Sequence, residues 1–216
     1  MTASVDVSTA NRPMLRAGIA ERLWEASRLE FSQRGYHGAR VQGIARRAGC
    51  NVALLYRHWS SKKALYLDLL RSIWAGHMQE VVNLMERGRG APAVVGAYLD
   101  SHMRDAVGAQ ILIRELLDGG PFLSQLLTAD PALVEPVRRA SRAMTEGGAD
   151  AQAFRPGLDP MLTVLTLGGV AALVASAHEA SRPFFERPIE PDTWRAHLYD
   201  MFLHGLLSGP TPPSTT

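Results

Sequence analysis

The chain is 216 residues long, enough for one or two domains with a core that needs no covalent staple. Apolar residues make up 46% and charged residues 20%, which excludes wholesale disorder, and the 19 glycines and 13 prolines are too scattered for a collagen-like or low-complexity chain. Net charge is only +2, yet Arg12 to Lys63 carries 11 basic and 3 acidic residues while the remainder carries 12 and 18; a basic first quarter on an acidic body is the footprint of a segment that meets a polyanion.

The first residues, Met1 to Asn11, are polar and small. With no basic start and no apolar core they read as a disordered tail, not a signal peptide. From there nearly everything reads as helix, because strand-like alternation is absent and Ala, Leu, Arg and Glu dominate. A first helix is predicted from about Met14 to Arg34, with Ile19, Leu23, Ala26 and Phe31 on one face and Gly35 at its end. A short helix follows over Val41 to Ala48, stopped by Gly49. Asn51 suits the N-cap of a third helix that ends near His58. Ser60 or Ser61 caps a long fourth helix to about Glu86. Gly88 to Pro92 is a break, with Pro92 in the first turn of a fifth helix; Gly119-Gly120-Pro121 ends a sixth and opens a seventh. Asp130-Pro131 and Asp159-Pro160 each pair an N-cap with a proline, and Gly147 to Gly157 between them reads as a loop. Met161 to Ser181 is a long apolar helix, Asp192 to Leu207 the last one, and Gly209 to Thr216 a disordered tail. The uncharged stretch Met161 to Ala177 is short for a membrane span and diluted by Thr163, Thr166 and Ser176, so a buried helix in a soluble, cytoplasmic, all-α protein is expected. The single cysteine, Cys50, excludes a disulfide framework and a multi-cysteine zinc site.

Val41 to Trp59 reads helix, glycine-containing turn, helix, the pattern of a helix-turn-helix. Ile44, Ala45, Ala48 and Leu55 are spaced to pack the two helices together and onto the first helix. That leaves Val52, Ala53, Leu54, Tyr56, Arg57 and His58 to divide between groove and scaffold. Arg and His meet phosphates or purine edges, Tyr meets phosphate, and Leu or Ala touches a thymine methyl.

The run Phe31-x-x-Arg34-Gly35-Tyr36, then Val41-x-x-Ile44-Ala45-x-x-Ala48-Gly49, then Leu55-Tyr56-x-His58-Trp59-x-Ser61-Lys62-x-Ala64-Leu65, resembles the DNA-binding domain of the tetracycline-repressor (TetR) family. The resemblance covers about fifty residues. It implies a homodimeric, ligand-responsive transcriptional regulator, usually a repressor, on a palindromic operator. It also implies a DNA-binding domain over 12–60 and a ligand-binding and dimerisation domain over 61–208. Tyr56 and Lys62 would clamp phosphates, and Gln42, Val52, Ala53, Leu54 and Arg57 would lie where the family reads or brackets bases. Two departures stand out. Ala39 and Arg40 replace the usual hydroxyl residues at the start of the second helix, so Arg40 would bind phosphate by charge while a cap is lost. The apolar start Val52-Ala53-Leu54 leaves specificity to Gln42, Arg57 and DNA shape.

The family resemblance further implies an effector cavity in the body, for which Trp74, His77, Met78, Tyr98, His102 and Glu115 are the candidates; at helical spacing the same residues also read as plain core. For the dimer, Gly168, Gly169, Ala172, Ala175 and Ser176 lie close to one side of the long apolar helix, with Leu165 and Leu173 on its flanks and Trp194, Leu198 and Phe202 on the last helix. The competing reading makes that helix the buried centre of each subunit. Cys50 at a helix start reads as a small buried hydrophobe before it reads as a redox switch. His102 and Asp105 stand three apart, but no HExxH and no close His/Cys cluster exists, so no metal and no cofactor is expected. Nucleophile signatures and phosphate-cradling loops are missing, which argues against an enzyme. The alternative function is a helical, dimeric small-molecule-binding or interaction protein without sequence-specific DNA binding.

Overall fold

The computed structural model describes residues 18–135, 137–138, 141–142, 158–187 and 189–206. They fall into two units, Met1–Tyr66 and Leu67–Thr216. Helices account for both, and no strand occurs among the described residues. Both expected tails, the stretch from Met14 to Ala17, the Gly147 to Gly157 loop and Leu207 lie outside the described residues.

In the first unit, α1 (Ile19–Gly38) starts behind Gly18, whose amide donates to Glu21 Oε2 at 3.1 Å. Leu23, Ala26 and Phe31 are fully buried. Ile19, expected beside them, is 38% exposed, since it occupies the first position of the helix. The helix does not end at Arg34: Gly35 takes φ +64° and ψ −179°, a region essentially open only to glycine, and α1 continues past it through a kink to Gly38. Next come α2 (Val41–Arg47) and α3 (Val52–His58), seven residues each and too short to persist in water alone. They are held by burial of Ile44, Ala45, Ala48 and Leu55, and by Arg22 Nε donating to the Ala48 carbonyl at 3.1 Å. Gly49 makes the turn with φ +67°, and Asn51 Oδ1 accepts from the Leu54 amide at 3.0 Å.

The long helix α4 (Lys62–Glu86) is capped by Ser61, whose Oγ accepts from the Ala64 amide at 3.0 Å. Its first residue reaches back to α1. Lys62 Nζ donates to the carbonyls of Tyr36 at 2.8 Å and Ala39 at 3.1 Å, and stands 4.4 Å from the centre of the Tyr36 ring. These are carbonyls at the C-terminal end of α1, where a cation satisfies orphaned acceptors. Tyr66, one helical turn on, packs its ring 4.8 Å from Phe31 and 5.1 Å from Tyr36.

The second unit holds the rest of α4 with α5 (Ala91–Arg104), α6 (Ala106–Leu117), α7 (Pro121–Ala129), α8 (Pro160–Ser181) and α9 (Pro191–Leu206). α8 packs on both α5 and α6, and α9 packs on α5. Met78, Val81, Val95, Leu99, Leu167 and Leu198 are among the residues of its core. Asp105, expected on one helical face with His102, is instead the joint between α5 and α6, its Oδ1 accepting from the Gly108 amide at 2.9 Å. Asp130 caps as expected and opens a 3-10 turn, Pro131–Leu133, after which residues 135, 137–138 and 141–142 are helical. Asp159 Oδ1 accepts from the Leu162 amide at 2.8 Å and starts α8.

One close approach sets how α8 sits on α5. The Tyr98 hydroxyl lies 2.4 Å from where a Cβ on Gly168 would stand. Only glycine fits there. We therefore predict that Gly168→Ala costs about 1–3 kcal/mol of stability, and less in a Tyr98→Phe background. Denaturation midpoints of the four proteins check this; an equal cost in both backgrounds would show that the hydroxyl is not the obstacle. For the first unit, Lys62→Met keeps the aliphatic stem and deletes two charge-assisted hydrogen bonds. A loss of about 1–3 kcal/mol is expected. Amide hydrogen exchange should quicken in the last turn of α1, and unchanged exchange there would contradict the assignment.

Candidate nucleic-acid interface

The turn between α2 and α3 is built from backbone hydrogen bonds: the Gly49 amide donates to the Arg46 carbonyl at 3.2 Å and the Cys50 amide to the Ala45 carbonyl at 3.0 Å. With Leu55 wholly buried, the geometry of one helix leaves Ala53, Tyr56, Arg57 and His58 exposed, and Val52 and Leu54 half-buried at the margins. Tyr56 is 48% exposed, unusual for a large ring that could have joined the core. Arg40 and Gln42, at the start of α2, are exposed as well. Of the nine residues expected at DNA, Lys62 departs most from expectation: two of its three donors are spent on α1 carbonyls, so it holds the unit together before it can clamp a phosphate. Cys50, expected to be buried, is half-buried and free.

Beneath the start of α2 lies a group that sequence reasoning did not single out. Glu30 of α1 is 5% exposed. Its Oε1 accepts from the Arg40 amide at 3.5 Å and stands 3.2 Å from Arg34 Nε, while Oε2 is 3.8 Å from Arg47 Nη2. Arg40 offers no side-chain cap, as its identity implied, and the Glu30 carboxylate, from another helix, accepts from the amide of this N-cap residue itself. The approach requires Gly43, where a Cβ would stand 2.8 Å from Glu30 Oε1. A glycine inside a seven-residue helix, normally a cost of about 1 kcal/mol, was the available signal.

The effector candidates separate into three places. Glu115 is structural: its Oε1 accepts from the amides of Phe122 at 2.7 Å and Leu123 at 2.9 Å, capping α7. His77, Tyr98 and His102 are buried together, the two imidazoles stacked 4.1 Å apart and the Tyr98 ring edge-on to His102 at 4.8 Å. His102 Nδ1 donates to the Tyr98 carbonyl at 3.0 Å. Burial holds the His102 ring below the ordinary histidine range, against the opposing pull of that carbonyl and of Asp105, so it is neutral at pH 7. Trp74 and Met78 instead line a half-open cavity of about 240 Å³, with Val82, Leu133 and Val137 as further apolar wall. Trp74 Nε1 donates to the Leu133 carbonyl at 3.0 Å. No group of three or more metal-ligating side chains occurs among the described residues.

The dimer candidates need correction. Gly168 faces Tyr98 of its own chain, and Ala172, Leu198 and Phe202 are buried inside the second unit, so these four are core and not free surface. Gly169 opens to empty space, and Ala175, Ser176 and Trp194 are half-buried. The exposed apolar groups of α8 are Leu162, Leu165 and Leu173, on the side opposite the core. The residues expected only as flanks are the outward face, because small residues at 168 and 172 seat α8 against its own neighbours.

Residues 23–69 match the family model for bacterial regulatory proteins of the tetR family. The transcriptional activator FasR of Mycolicibacterium smegmatis is 29% identical over 168 residues, 76% of this chain and 71% of that protein. The transcriptional regulator RutR of Escherichia coli is 30% identical over 138 residues, 60% of this chain and 63% of RutR, so the match spans less than two thirds of its length. Among solved structures, FadR of Bacillus subtilis in complex with stearoyl-CoA is similar with a TM-score of 0.63 at 15% identity, over 86% of this chain and 98% of that one. A TetR-like regulator from Rhodococcus gives 0.58 at 18% identity, over 88% and 96%. These two likenesses carry the fold. No described helix is long and apolar enough to cross a membrane. The helix-turn-helix thus lies inside a segment, residues 23–69, that matches the tetR family of bacterial regulatory proteins, and the relatives named are transcriptional regulators.

Proposed function

We propose that this protein binds a palindromic operator as a homodimer, represses transcription there, and is released by a small-molecule effector. The observation that carries the reading is α3: one buried leucine, Leu55, beneath an outward face of Ala53, Tyr56, Arg57 and His58. A core helix would not leave a tyrosine, an arginine and a histidine outward together, and that set supplies both phosphate donors and a base-edge reader. In this reading residues 12–60 form the DNA-binding domain and 61–208 the domain for effector and partner. Tyr56, Arg40 and His58 serve the backbone, while Gln42 and Arg57 meet base edges, with Val52, Ala53 and Leu54 in van der Waals contact.

Support for the dimer comes from α8. Leu162, Leu165 and Leu173 stand 64%, 54% and 54% exposed on a helix whose other side is core. Such a stripe is what a second copy would cover, in a two-fold contact. The Trp74–Met78 cavity is the effector site in this reading. Its wall sets Trp74, Met78, Val82, Leu133 and Val137 beside Gln79, Asn83 and Glu86, which suits a ligand with a hydrocarbon body and a polar group, and one structural neighbour was solved with stearoyl-CoA. Repression is the sign that family resemblance implies; since FasR carries the name of an activator, a reporter behind the selected operator reads the sign directly.

Selection from a random DNA pool should recover inverted half-sites with centres about one helical turn, or a multiple of it, apart. Arg57→Ala should then relax one position in each half-site by about 1–3 kcal/mol. Recovery of asymmetric single sites, or no enrichment, would overturn the palindromic reading. Leu165→Arg should yield a folded monomer by sedimentation with weakened operator binding. A folded Leu165→Arg protein that stays dimeric would move the interface off α8.

A further inference from the structure

The start of α2 borders a concavity of about 750 Å³ lined by Arg34, Arg40, Arg46 and Arg47 with Gln42 and Glu30. All lie within the segment that matches the family model. We propose that this concavity is a second duplex contact, in which Arg34 and Arg46 hold phosphates beside those reached by α3. The inference rests on the DNA-binding reading and extends it to arginines outside the recognition helix.

Charge and exposure carry the argument. Four guanidinium groups surround one carboxylate, and that carboxylate is at the floor, 5% exposed. Glu30 therefore does not neutralise the rim. It tethers two of the arginines, Arg34 at 3.2 Å and Arg47 at 3.8 Å, and Arg47 Nη2 also donates to Gln33 Oε1 at 3.0 Å. Arg34 keeps 59% of its side chain exposed. Arg40 and Arg46 are exposed and form no ion pair among the described residues. Arg46 follows Gln42 by four residues, so the two share the same side of α2. The concavity is thus walled by fixed and free arginine forks, with no apolar floor for a hydrocarbon or an aromatic ligand. A guanidinium fork matches phosphate oxygens in pairs. The occupant of matching form is a strand of duplex backbone, because Arg40 and Gln42 belong to this lining and to the proposed DNA-reading surface at once.

The test is the salt dependence of binding to a labelled 30-base-pair duplex of random sequence, from 50 to 300 mM KCl. Each lost phosphate contact lowers the slope of log K against log salt by about 0.9. Arg46→Ala should lower it by about that amount with an unchanged melting temperature, and Arg34→Ala with Arg46→Ala by about twice as much. Arg89→Ala, an exposed arginine of the second unit, is the control for net charge and should leave the slope as it is. A wild-type slope in Arg46→Ala overturns the inference while leaving the DNA-binding reading intact. So does an equal fall in Arg89→Ala. Absence of salt-dependent duplex binding by the wild-type protein overturns both.

Discussion

A helix of seven residues does not persist in water, and the surface proposed to read DNA is built on two of them. Everything notable in the first unit answers that constraint. Leu55 and Ile44 are buried to zero exposure, each worth about 1.5–3 kcal/mol as removed apolar area. Asn51 satisfies the first turn of α3 from within the motif. The residue that opens α2, Arg40, has its amide met from outside the motif by the Glu30 carboxylate, whose approach leaves no room for a Cβ at position 43. Lys62 closes the end of α1 from the first turn of α4. Short helices are thus fixed by long-range polar contacts, and their exposed faces are free to carry side chains chosen for a partner.

The second unit solves a different problem with one helix. α8 is apolar nearly all round, so its two faces are told apart by what covers them. Toward α5 it presents Gly168, against which the Tyr98 hydroxyl rests, and Leu167, Ala171 and Ala172 are buried in the unit. Away from the core it presents Leu162, Leu165 and Leu173. Covering the exposed half of three leucines would stabilise a contact by roughly 1 kcal/mol each, which is why the proposed second copy is placed on this face and not on the glycine face. The neighbouring cluster of His77, Tyr98 and His102 is polar yet closed, with Ser101 Oγ donating to the Tyr98 carbonyl at 2.7 Å and standing 3.1 Å from His77 Nδ1. Such a network specifies how α4 and α5 pack, and none of its three rings lines the Trp74–Met78 cavity.

What was legible in the sequence was local. Asn51, Gly49, Ser61 and Asp159 act on residues three or four positions away, and each was readable from residue type and spacing. The helix-turn-helix was legible for the same reason, with its core Ile44, Ala45 and Leu55. What was not legible joins distant positions. Glu30 and Gly43 are thirteen residues apart, Lys62 and Tyr36 twenty-six, and nothing in either neighbourhood announces the other. Glu115 looked like a polar group in an effector cavity because its acceptors' partners lie on the next helix. The faces of α8 were misassigned because neighbours in sequence point about 100° apart on a helix: Gly168 meets Tyr98 while Gly169 meets nothing. Periodicity finds a stripe of small residues; it does not say which partner the stripe admits.

The central claim is that the outward face of α2 and α3 is where this protein meets duplex DNA. Hydrogen exchange of the full chain, with and without a saturating duplex recovered by selection, tests it most directly. The account predicts slowed exchange in peptides covering residues 40–58, with the α5 and α6 peptides of the second unit unchanged. Protection confined to the second unit, or none in residues 40–58 with the duplex bound, would contradict it.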